Sequence, residues 1–348
     1  MTSRERVIAA FDHRETVPVP RWIGMSDEFQ SKAKKALGVD DEGLRIRLGD
    51  DFRRVTAKYA GPVFPMMQGA HTRTIFGVYH GGHGYGIPLN HPFAEASKVS
   101  DIMDYQWPDP KRMDVSAIRS EALSWNGKYA ILGGDWSPFW HDLIDLFGME
   151  QMYFFMYDSP EIVDAALVCI VNYYLEVSRR IFDAAQGSID IFFIGNDLGS
   201  QTGPLLGEDL FRRFILPHIK RLVELGHGYG LRTQMHCCGG FAPLIPSLIE
   251  VKLDAIHAIQ TTCRGMDLKE LKQTYGDKLV LNGGIDSHHI LIDGTPEQVK
   301  SSTMEVLSIM SQGGGYIAGA SHDSILEETP LENVLAMCDA VAEYKIRR

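Results

Sequence analysis

Through the C-terminal two-thirds of the chain, short apolar runs alternate with longer amphipathic stretches. The runs Ile189–Ile194, Leu231–His236, Leu253–Ala258, Leu279–Asn282 and Tyr316–Ala320 are mostly apolar and flanked by glycine. Strands have this character when both faces are buried in a parallel sheet. Between them, Ser159-Pro160, Thr295-Pro296-Glu297-Gln298 and Thr329-Pro330-Leu331-Glu332 each offer a hydroxyl N-cap followed by proline. The latter two add Gln or Glu where a reciprocal capping box needs it. Val17–Ile23, Phe52–Ala57 and Tyr129–Gly133 bring the predicted strands to eight, the number that closes a (β/α)8 barrel. The competing doubly wound sheet would carry a glycine-rich phosphate loop after its first strand. Here that strand runs into Trp22-Ile23-Gly24-Met25-Ser26. The pattern predicts an α/β fold, a TIM barrel forming one domain over residues 1–348.

One stretch breaks the alternation. Residues 59–128 are rich in Gly, His, Pro and aromatics, including Gly81-Gly82-His83-Gly84-Tyr85-Gly86, and lack the ~3.6-residue period of a long helix. Long loops in compact domains are usually lids or disordered, and the aromatics favour an ordered lid after the second strand. It is expected to close with a helix near Val115–Trp125 and to give the barrel mouth an aromatic wall of Tyr79, Tyr85 and Trp136.

Charge narrows the partners. The 348 residues carry 34 Lys and Arg against 45 Asp and Glu, a formal charge of −11. That argues against a nucleic-acid binder, which needs a basic surface. No apolar run reaches the ~18 residues of a membrane span, and Met1–Arg6 has no signal-peptide character. The five cysteines are odd in number and two are adjacent, a reduced, cytoplasmic pattern in which clustered Cys and His point to metal or catalysis.

The densest chemistry is Met235-His236-Cys237-Cys238-Gly239-Gly240, at the end of the fifth predicted strand. Strand C-termini form the active face of such barrels. Because side chains alternate along a strand, His236 and Cys238 share one side, able to grip a Zn2+ ion, while Cys237 points away. Catalytic zinc usually has three protein ligands and one open position. At the end of the eighth strand, Ser321-His322-Asp323 offers His322 as the third ligand and Asp323 as the second choice; Cys263 and Cys338 are weaker candidates. Asp197 and His322 are the candidate acid–base groups. Trp22, Tyr85, Trp136, Gln201, Gln260 and Asp286 are candidate substrate contacts, with Asp286 equally suited to cap the following turn.

Taken together, Met1-Thr2-Ser3-Arg4-Glu5-Arg6-Val7, Gly49-Asp50-Asp51-Phe52, Asp197-Leu198-Gly199, His236-Cys237-Cys238-Gly239, Gly283-Gly284-Ile285-Asp286 and Ser321-His322 resemble the uroporphyrinogen decarboxylase superfamily along the whole chain. The resemblance implies a (β/α)8 barrel, often a homodimer. Its decarboxylase branch uses paired arginines after the first strand and an Asp after the second; Arg21–Asp27 and Val55–Tyr59 lack both. Fixed positive charge is what a many-carboxylate substrate requires, so uroporphyrinogen is not the expected substrate. Its methyltransferase branch uses zinc on His-x-Cys plus a distant Cys, where this chain offers His322 or Asp323. The resemblance therefore implies a zinc-dependent methyltransferase of corrinoid-linked one-carbon metabolism. Its partners would be a corrinoid protein and a small-molecule methyl donor or acceptor. The alternatives are a metal-independent decarboxylase or lyase of a small acid, and a non-catalytic tetrapyrrole or corrinoid binder.

Overall fold

The computed structural model describes residues 1–82 and 86–345. Eight parallel strands form the centre: β1 (Arg21–Trp22), β2 (Phe52–Arg54), β3 (Ala130–Gly133), β4 (Ile191–Gly195), β5 (Arg232–His236), β6 (Ala255–Ile259), β7 (Val280–Ile285) and β8 (Tyr316–Ala320). Hydrogen-bonded neighbours run β1-β8-β7-β6-β5-β4-β3-β2, a barrel closed except for the seam between β1 and β2. The predicted TIM barrel is the observed fold. The first strand is shorter than its apolar pattern suggests, because Pro18 and Pro20 cannot donate to a ladder.

Alternation sorts the side chains into two cores. Trp22, Phe52, Leu132, Ile191, Phe193, Ala255, Val280 and Ile317 fill the barrel, joined by Val7, Ala10 and Phe11 of the first helix, Ser3–Phe11. That helix is tied to the strands by Arg4 on Asp190 (2.8 Å) and Arg6 on Asp51 (2.6 Å). The opposite strand faces, among them Ile131, Ile194, Met235 and Leu281, pack against the surrounding helices. Thr295 forms the expected capping box on Pro296–Met310. Ser159 precedes its helix without a capping bond, and the last helix begins at Leu331, one residue later than its motif suggests.

The insertion after β2 is built of short pieces, as its composition suggests. Lys58–Tyr59 pairs with Met113–Asp114, and Thr72–Arg73, Tyr79–Gly81 and Ile87–Pro88 form a small antiparallel sheet. The closing helix is Ile118–Trp125. Tyr79 turns away, its hydroxyl donating to the Pro65 carbonyl (2.8 Å), so the neighbouring His80 faces the barrel mouth instead. Tyr85 lies outside the described residues. No helix among the described residues is long and apolar enough to cross a membrane.

Candidate active site

A cavity of about 680 Å3 sits on the C-terminal ends of the strands, beneath the insertion. Arg54, Trp136, His141, Asp197, His236, Cys238, His322 and Asp323 line it from the barrel, and His80, Gly86 and Pro88 from the insertion.

Its chemical centre is where β4, β5 and β6 end. His236 closes β5, pointing inward in register with Gly195 of β4 and His257 of β6. Two residues on, Cys238 Sγ lies 3.1 Å from His236 Nε2, as strand alternation requires. Asp197, just past β4, brings Oδ1 to 3.3 Å from the same Nε2 and accepts the Cys238 backbone N–H at 2.8 Å. Its second oxygen meets His141 Nε2 at 3.1 Å. Asp197, His236 and Cys238 therefore present three ligand atoms within 4.8 Å of one another. With zinc–ligand bonds of ~2.0–2.3 Å, tetrahedral donors stand about 3.3–3.6 Å apart. The two separations from His236 Nε2, 3.1 and 3.3 Å, are close to that, and one carboxylate, one imidazole and one sulfur suit zinc.

The electrostatics agree in kind. Burial opposes ionisation of Asp197, but hydrogen bonds from His141 and His236 outweigh it and hold the carboxyl well below the usual range. Burial pushes the Cys238 thiol far up, and the Asp197 charge adds to this. A bound cation reverses that logic, because a coordinating thiol is deprotonated by the metal itself.

Cys237 faces the other way, fully buried, its sulfur accepting the Leu198 N–H (3.3 Å). Two glycines make room at the site. A Cβ on Gly195 would fall 2.0 Å from the Trp136 ring, and Gly239 (φ +86°) would drive one to 2.4 Å from the Gly199 backbone. The residues after Cys238 are thus pressed under a neighbouring loop.

The other sequence candidates scatter. His322 lines the cavity but stands apart from the three clustered donors, its Nδ1 held 3.0 Å from the Ser324 carbonyl. Of the expected trio of His236, Cys238 and His322, the first two stand together with Asp197 beside them in place of His322, while Asp323, the second choice, groups with His236 and His257. Trp136 stacks beside His236, ring centroids 5.5 Å apart. Trp22 is deeper, 4.6 Å from the His257 ring and lining a smaller adjoining cavity. Gln260 accepts the Gly239 N–H (3.0 Å), fixing the loop rather than facing the cavity. Asp286 caps the turn Ser287–Ile292 through the His288 and His289 N–H groups, and Gln201 is exposed at a loop tip.

Residues without a motif complete the site. His257, wholly buried in β6, faces His236 with Nδ1 3.0 Å from Nδ1. Burial, then the neighbouring His236 and Arg54, hold its imidazole neutral, far below the ordinary histidine range. Across the cavity, His80 reaches Asp145 (2.9 Å), linking the insertion to the helix Phe139–Phe147. The only sequence signal for these was a polar residue at an inward position of an apolar strand or helix.

Comparison with known proteins agrees with this architecture. The uroporphyrinogen decarboxylase (URO-D) family matches residues 88–344. The chain belongs to that family. A uroporphyrinogen decarboxylase of Coxiella burnetii is 26% identical over 149 residues, 42% of this chain and 39% of its own. Methylcobamide:CoM methyltransferase MtbA of Methanosarcina acetivorans is 21% identical over 231 residues, 66% of this chain and 63% of its own. The chain thus spans less than two thirds of either curated relative. A solved methyltransferase from Methanosarcina mazei has the same fold, with a TM-score of 0.68 at 17% identity over 99% of both chains. The relatives are enzymes of two kinds, decarboxylases and methyltransferases.

Proposed function

We propose that this URO-D-family chain is a zinc-dependent methyltransferase, moving a methyl group between a corrinoid carried by a partner protein and a small molecule. The observation that carries the reading is the cluster of Asp197, His236 and Cys238 on the wall of a cavity large enough for a small substrate. The relatives named for methylcobamide chemistry support the class of reaction. His236 Nε2, Cys238 Sγ and an Asp197 oxygen would hold the metal, and His322 and Asp323 line the same cavity. Zinc bound there would supply Lewis acidity, lowering the pKa of a thiol or polarising an ether or amine.

The chain's own groups do the positioning. With metal bound, His236 Nε2 would give up its hydrogen bond to Asp197, and neutral His257 would accept from His236 Nδ1–H, the arrangement by which a second residue fixes a ligand's tautomer. His141 holds the far oxygen of Asp197. Trp136 walls the imidazole, and the His80–Asp145 link draws the insertion over the mouth, limiting water.

A second reading, decarboxylation or lyase chemistry on a small acid, is favoured by Asp145. Burial raises its carboxyl above the ordinary carboxylate value despite the opposing His80, and it lies on the cavity wall. Zinc analysis of the purified protein, with methyl transfer assayed from methylcobalamin to thiols, separates the two. One zinc per chain, lost in Asp197→Asn and retained in His322→Ala, supports the methyltransferase and its ligand set. Metal-free protein that turns over an acid but transfers no methyl group would establish the lyase, and no turnover at all would leave a binder.

A further inference from the structure

β1 and β2 are the two free edges of the sheet, and near their N-terminal ends Asp51 spans the gap between them. Its N–H donates to the Arg21 carbonyl (3.1 Å), and its carboxylate accepts the Arg21 N–H (2.8 Å). Beyond that bridge the strands share no ladder bonds, and a cavity of about 190 Å3 opens between them. Trp22, Gly24, Phe52, Arg54, Asp323 and Ser324 are among its walls, and Arg54 and Asp323 also line the larger cavity.

Three arginines gather at this seam, and two are neutralised. Arg45 pairs with Asp50 (2.6 Å) and Arg53 with Glu42 (2.8 Å). Arg54 is different. Its guanidinium lies over the rings of Phe193 (4.7 Å) and Trp136 (5.6 Å), and among the described residues no hydrogen bond or ion pair engages it. By surface area Arg54 is exposed, yet protein encloses it closely enough for burial to lower its pKa, with Asp323 opposing. The two facts are reconciled if its accessible surface is cavity wall. The Trp22 ring lines the same small cavity, while its Nε1–H is buried away from it, with no acceptor among the described residues. A guanidinium on a cavity wall with no carboxylate in hydrogen-bond reach matches one chemistry, an oxyanion that takes its planar fork.

The geometry points to a substrate bearing a carboxylate, bound at the β1–β2 seam by Arg54, with its reacting end at Asp197, His236 and Cys238. Trp136 sets the scale, since the Arg54 guanidinium and the His236 ring each lie within 5.6 Å of its ring. A molecule a few bonds long spans that gap. This deepens the proposed function by naming the substrate class, and it rests on the cavity being the reaction site, though not on the metal.

The test titrates 3-mercaptopropionate, 2-mercaptoethanol and 2-mercaptoethylamine, thiols of similar length, into the zinc-supplemented full-length protein by calorimetry. In parallel, propionate and propionamide are titrated into chelator-treated protein, with tryptophan fluorescence as readout. The acid should bind at least ~10-fold tighter than its neutral counterpart in both series, the size expected of a charge-assisted bidentate contact. Arg54→Met, which keeps an apolar stem against Phe193 and Trp136, should erase the preference. Arg54→Lys should keep part of it, having the charge but not the fork. Should Arg54→Met fail to fold by circular dichroism, Arg54→Gln serves in its place. A propionate preference that survives while no thiol senses zinc would remove the metal reading and leave the Arg54 site standing. Equal binding of acid and neutral ligand, an acid preference unchanged in the variant, or tighter binding of the amine on Asp142 and Asp145 would each overturn it.

Discussion

The corner where β4, β5 and β6 end and the seam between β1 and β2 share one barrel mouth, yet they treat polar groups in opposite ways. At the corner, Asp197, His236, Cys238, His141 and His257 bond one another at 2.8–3.3 Å, leaving only His141 Nδ1 and His257 Nε2 without a partner among the described residues. At the seam, the Arg54 guanidinium stands without an acceptor among the described residues. A cluster of mixed donors and acceptors braced by one another is what a preorganised metal site looks like before the ion arrives, because its ligands are already held in place. An unsatisfied cation instead defines the complement of a ligand. Under the proposed function, the difference assigns metal and reaction to the corner and the choice of substrate to the seam.

The largest effect expected from separating the two is at the corner. Cys238→Ala should abolish stoichiometric zinc and methyl transfer while leaving acid binding at the seam intact. Cys237→Ala should keep the zinc and lower stability by only about 1 kcal/mol, since it removes one buried sulfur from a packed position. Metal analysis and thermal melting of the two variants check this. Loss of zinc from the Cys237 variant alone would mean that the inward side of β5 has been misassigned.

A smaller effect tests whether the corner's internal bonds matter. His257→Phe preserves a ring against Trp22 and Phe193 but removes the acceptor for His236 Nδ1–H. Zinc affinity should fall by ~10–100-fold, the usual range for removing a ligand's orienting partner. Competition against a chromophoric chelator measures it directly. Unchanged affinity would show that backbone and packing alone orient His236, and the corner would then be less preorganised than its hydrogen bonds imply.

The same division explains what was legible in the sequence. His236 and Cys238 could be found because their chemistry is local: two ligand types at i and i+2, at the end of an apolar strand. Asp197 was visible as a polar strand end, but its place beside them depends on β4 and β5 being neighbours, and that brings it closer than His322. His257 and Arg54 were missed for a related reason. Each is a lone polar residue on the inward side of a short strand, and only barrel closure brings His257 against His236 and Arg54 over Phe193. Asp286 and Gln260 show the reverse error, since polar residues at strand ends also close turns and brace loops. Inside the barrel, the two-residue alternation was sufficient, and both cores follow it.

The smallest effect lies under the seam and touches neither metal nor ligand. Burial pushes the Asp50 carboxyl up to about 6, against the opposing charges of Arg45 and Arg53. Its folded value thus exceeds the unfolded value of about 3.9, so between those two values the folded chain holds a proton that the unfolded chain has released. Stability from this group is complete below pH ~4 and is lost as pH rises through ~6, at about 1.4 kcal/mol per unit at most. Asp50→Asn removes the titration while keeping an acceptor for the Phe52 N–H, now 3.2 Å from Asp50 Oδ1. The wild-type stability measured against this variant by urea unfolding should therefore decline by roughly 1–3 kcal/mol from pH 4 to 6.5 and then level off. Zinc content should not change. A difference that is flat across that range would mean Asp50 stays ionised in the fold, with Arg45 and Arg53 outweighing its burial.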